Sequence, residues 1–64
     1  MKGRVIGSAE TLENLVSLFN DKMYSTNWVE KEVDGVLKFY NTKLNKFASG
    51  YIRNKNGRYQ YCEE

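Results

Sequence analysis

Residues 27–42 read NWVEKEVDGVLKFYNT, and the pairing of the two halves across Asp34-Gly35 decides which side chains reach the core. Apolar and polar residues alternate on both sides of the Asp-Gly pair, so the segment reads as two strands joined by a tight turn. A two-residue turn would set Lys31 opposite Lys38. A three-residue loop with Gly35 in the left-handed conformation instead pairs Glu30 with Lys38, Trp28 with Tyr40 and Val29 with Phe39. Directly opposed like charges destabilise a ladder, and an aromatic cross-strand pair adds about 0.2 to 1 kcal/mol. The three-residue loop is therefore expected. It sends Val29, Leu37 and Phe39 to the core and leaves Trp28, Glu30, Lys38 and Tyr40 on the other face.

Upstream, Leu12, Leu15, Val16, Phe19 and Met23 fall at helical spacing and form one apolar stripe. Ser8 is the expected N-cap, with Glu10 and Glu13 complementing the positive end of the helix dipole. The helix should stop near Tyr24, before the polar run Ser25-Thr26-Asn27. Lys2 to Gly7, with Val5 and Ile6, is long enough for one edge strand.

Downstream, Lys43-Leu44-Asn45-Lys46 links to a second hairpin, FASGYIRN and RYQYC, whose Asn56-Gly57 is a strong type I′ signal. Ile52, Tyr59 and Tyr61 then share an inner face; Tyr51, Arg53, Lys55, Arg58 and Gln60 share the outer one. The expected fold class is α+β: a short N-terminal strand, then one amphipathic helix packed on an antiparallel sheet of two hairpins, all in a single domain over residues 1–64.

The chain has 64 residues, a net charge of +2, one cysteine and no histidine. A fold this small buries only about 60% of its unfolded surface. Zinc fingers and disulfide scaffolds need more cysteine or histidine than the chain holds. No apolar run exceeds two residues and there is no Asn-x-Ser/Thr site, so a protein without a membrane span, located in the cytoplasm, is expected. Abundant Asn and Lys with no Pro is a composition typical of AT-rich coding sequences, such as those of many phages and low-GC bacteria.

Catalysis has little to work with. Without imidazole there is no ordinary acid-base group near neutral pH. Glu30 and Glu32 read as solvated hairpin charges with basic cross-strand partners, Cys62 as filler at a strand end, and the glycines match no phosphate-cradling pattern. No enzyme, cofactor or metal site is expected.

Charge is unevenly distributed. Residues 8–34 hold Glu10, Glu13, Asp21, Glu30, Glu32 and Asp34 against Lys22 and Lys31, whereas residues 36–62 hold six cations and no acid. The outer face of the second hairpin interleaves rings with cations, the pattern by which bases are stacked and phosphates neutralised. Tyr51, Arg53, Lys55, Arg58 and Gln60, with Lys43 and Lys46 from the linking loop, are the candidate contacts to DNA or RNA. The stretch YIRNKNGRYQY also resembles the first hairpin of the arm-binding domain of tyrosine recombinases such as phage integrases, where a small sheet docks in a DNA groove. The resemblance covers residues 51–61; in that family the helix follows the sheet, whereas here it precedes it.

Two functions compete. One is a small regulatory protein of phage or bacterial type, monomeric or a small homo-oligomer, that binds nucleic acid. The other is an inhibitor of a host enzyme or defence complex, which would present the acidic helix face with Glu30, Glu32 and Asp34.

Overall fold

The computed structural model describes residues 4–63. The elements are β1 (Arg4–Ala9), α1 (Leu12–Lys22), β2 (Trp28–Val33), β3 (Val36–Asn41), β4 (Lys46–Phe47), β5 (Tyr51–Lys55) and β6 (Arg58–Glu63). The strands form one sheet ordered β1-β6-β5-β3-β2, with β4 added to β3, and every pairing is antiparallel. The helix covers one face, so the α+β architecture is as expected.

The helix stripe buries Leu15 and Phe19 against Trp28, Phe39, Ile52 and Tyr61, with Leu12 and Val16 packed at its margin. Phe19 stacks on Phe39 with ring centroids 4.0 Å apart and meets the edges of Trp28 and Tyr61 at 5.2 and 5.0 Å. Met23 ends the helix as its C-cap and is 48% exposed, so it is not the core residue its spacing suggested.

The helix start differs from expectation. Ser8 is a strand residue opposite Gln60, and β1 runs on to Ala9 because β6 offers its backbone groups a partner. Thr11 is the N-cap, its Oγ1 accepting from the Asn14 amide at 3.1 Å. Of the two glutamates assigned to the dipole, Glu13 alone lies in the first turn. Lys2 and Gly3, the start of the expected first strand, lie outside the described residues.

The first hairpin takes the register that charge pairing argued against. Asp34 and Gly35 have φ of 53° and 81°, the pair of left-handed residues of a type I′ turn. Lys31 lies opposite Lys38, Glu30 opposite Phe39 and Trp28 opposite Asn41. A one-residue shift exchanges the two faces of a strand. Trp28, Glu30 and Glu32 therefore point to the helix side, and Val29, Lys31 and Val33 to the other. Glu30 and Glu32 consequently have apolar cross-strand partners, Phe39 and Leu37, in place of basic ones.

Two causes outweigh the repulsion. The type I′ turn matches the right-handed twist of its strands. Trp28, 5% exposed, gains the core; burying a ring of 150–250 Å² contributes about 4 to 6 kcal/mol, several times a cross-strand charge pair. Asn20 then clasps the strand start: its amide donates to the Val16 and Trp28 carbonyls at 3.2 and 3.0 Å, and its Oδ1 accepts from the Trp28 amide at 3.0 Å.

The second hairpin follows its sequence. Asn56 and Gly57 have φ of 55° and 81°, and Ile52 opposes Tyr61. Gly50, φ 96°, is required at the approach to β5, since a Cβ there would collide with the Cys62 carbonyl. Beside it, the Tyr61 hydroxyl donates to the Ser49 carbonyl.

Candidate nucleic-acid interface

The helix leaves the second face of the sheet uncovered, and strand alternation dictates what that face carries. From β5 and β6 come Tyr51, Arg53, Lys55, Arg58 and Gln60, as expected, together with Cys62. Pairing of Lys31 with Lys38 and of Val29 with Tyr40 adds both lysines, Val29 and Tyr40. Phe47 opposes Tyr40 across β3 and β4, their rings 4.8 Å apart in an edge contact.

Lys31, Lys38, Tyr40 and Phe47 were not among the sequence-derived contacts. The signal for the lysines was present: an Asp-Gly pair demands the same turn as Asn-Gly, and that register puts Lys31 and Lys38 on one face. The two opposed ammonium groups diverge. Lys31 Nζ sits 4.7 Å from the Tyr40 ring centroid, and Lys38 Nζ donates to the Gly50 carbonyl at 3.3 Å.

Arg53 is half-buried, and its Nε donates to Gln60 Oε1 at 2.8 Å, which holds the guanidinium against the sheet. Arg58 leans to the sheet edge, 3.4 Å from Ser8 Oγ and 3.8 Å from the Glu10 carboxylate. Among the described residues the other ion pair is Arg4–Glu63, so Lys31, Lys38, Arg53 and Lys55 carry no acidic partner. Among the described residues no strand acid faces this side: Glu30, Glu32 and Glu63 all alternate toward the helix side.

Lys43 and Lys46 do not join this face. Lys46 opposes Asn41, on the helix side of β3. It borders a cleft with Met23 and Trp28. Lys43 lies in the turn that Asn41 organises, where Asn41 Oδ1 accepts from the Lys43 and Leu44 amides at 2.9 and 2.8 Å. Cys62 is fully buried between the strand partners Val5 and Tyr51 and lies outside the main core cluster.

No family model matches this chain, and no curated protein or solved structure is significantly similar to it. The likeness to integrase arm-binding domains rests on residues 51–61 alone. No helix among the described residues is long and apolar enough to cross a membrane.

Proposed function

We propose that this chain is a non-enzymatic regulatory module of phage or bacterial type, acting in the cytoplasm, whose uncovered sheet face holds DNA or RNA. The observation that carries the reading is segregation of charge by face. Cations and rings occupy the open side with no acid of the described strand residues among them, while Glu30 and Glu32 join Glu13 and Asp21 on the helix side, which also carries Lys22 and Lys46. Phosphate contacts release condensed counterions, so affinity should fall steeply between about 50 and 200 mM salt. Replacing Arg53, Lys55 and Arg58 together with Gln should weaken binding and flatten the logarithmic salt slope by about two to three. A titration of labelled oligonucleotides by fluorescence anisotropy measures both. Binding no tighter than about 100 µM at the lowest salt, below ordinary non-specific affinity, would overturn the proposal.

The same segregation favours a second reading. The helix side carries Glu13, Asp21, Glu30 and Glu32 against Lys22 and Lys46, an acidic excess suited to a basic partner, as in an inhibitor of a host enzyme or defence complex. Failure of nucleic-acid binding, with capture of a partner protein lost in a Glu30→Lys/Glu32→Lys variant, would select it.

A further inference from the structure

We infer that the nucleic acid is single-stranded and crosses the sheet, with the Tyr40–Phe47 ring pair as a second stacking platform beside Tyr51. The inference rests on the nucleic-acid reading and deepens it.

Duplex recognition by a ribbon in the major groove requires two strands that can enter a channel about 12 Å wide. The smallest principal extent of this domain is 20 Å. The β5–β6 hairpin does not project as a free ribbon either: β1 pairs along β6 as far as Tyr59, and β3 flanks β5 at Ile52. Only residues 53–58 lie beyond those pairings. A duplex could then meet the open face only through its phosphates, leaving the rings unused.

An unpaired strand uses both. Base-ring stacking needs π faces at the surface, and Phe47 is 41% exposed while Tyr40 and Tyr51 are half-buried and keep part of each ring at the surface. Lys38 lies between the two ring positions, two residues along β3 from Tyr40 and beside Tyr51 of β5, and Lys31 flanks it on the edge strand β2, where both can neutralise the phosphates of a strand with stacked bases. The Lys31 ammonium now beside the Tyr40 ring is exposed and free to move to a phosphate when a base takes its place.

The test compares labelled oligothymidylate and oligouridylate of about 16 nucleotides, the upper site size of small single-strand binders, with a hairpin duplex at low salt. The single strands should bind at least tenfold tighter than the duplex; the two arms separate DNA from RNA. Phe47→Leu and Tyr40→Leu keep the apolar contact and remove the ring, and each should weaken single-strand binding by about 5- to 100-fold with little change in salt slope. Lys31→Gln should lower the slope by about 0.7. Trp28 emission, from the opposite face, reports that each variant is folded.

Duplex binding equal to or tighter than single-strand binding overturns this inference and leaves the proposed function standing. So does a single-strand preference that survives both ring substitutions in folded protein. Absence of binding to any probe overturns both.

Discussion

The two principal hairpins of this sheet turn in the same way and are held in register by different forces. Asp34-Gly35 and Asn56-Gly57 have φ pairs of 53°/81° and 55°/81°, and each leaves two cations directly opposed, Lys31 with Lys38 and Lys55 with Arg58. In the β5–β6 hairpin the register is reinforced on both faces, by Ile52 against Tyr61 in the core and by the Arg53–Gln60 hydrogen bond outside. In the β2–β3 hairpin the helix decides it. Trp28 meets Phe19 at 5.2 Å and is tied to Asn20 through both its amide and its carbonyl. Cross-strand repulsion is tolerated in both because exposed cations separate: Lys31 leans on Tyr40 and Lys38 on Gly50.

If the helix sets the first register, the largest effect comes from the contact between them. Trp28→Ala and Phe19→Ala should each cost about 3 to 5 kcal/mol, enough to unfold most of a domain this small. Urea denaturation followed by circular dichroism measures this; a melt close to wild type in either variant would break the helix-on-sheet account.

The two hairpins should differ more in binding than in folding. Tyr51→Ala removes a stacking contact and should weaken oligonucleotide affinity by about 1 to 3 kcal/mol. Gly35→Val and Gly57→Val should instead cost similar stability, about 1 to 2 kcal/mol each, because both sites hold a positive φ with nothing near a new Cβ. Unequal costs by thermal denaturation would show that the turns are not equivalent.

The smallest expected effect separates folding from binding. Lys31→Glu replaces a like-charge pair by an opposite one and should stabilise the sheet by about 0.2 to 1 kcal/mol, while weakening oligonucleotide binding. A variant that is more stable and binds equally well would remove Lys31 from the interface.

Much of this fold was legible in residues close together along the chain. The stripe through Leu15 and Phe19 places the helix, because helical spacing is a local property. Asn56-Gly57 sets its hairpin, and with it the shared outer face of Tyr51, Arg53, Lys55, Arg58 and Gln60, because turn chemistry and alternation agree. The β2–β3 register lay beyond that reach. Its local terms, one charge pair against one ring pair, each amount to about 1 kcal/mol or less, whereas burial of Trp28 depends on Phe19, a residue of another element. The same long-range choice moved Lys31 onto the open face and Glu30 and Glu32 off it. Likewise, Ser8 entered a strand and left the capping role to Thr11 because β6, more than fifty residues away in the chain, supplied a pairing edge. Sequence determined which side chains are apolar, where the turns fall and that the C-terminal half is basic; only tertiary packing decided which face each residue of β2 presents, because that is a competition for one core.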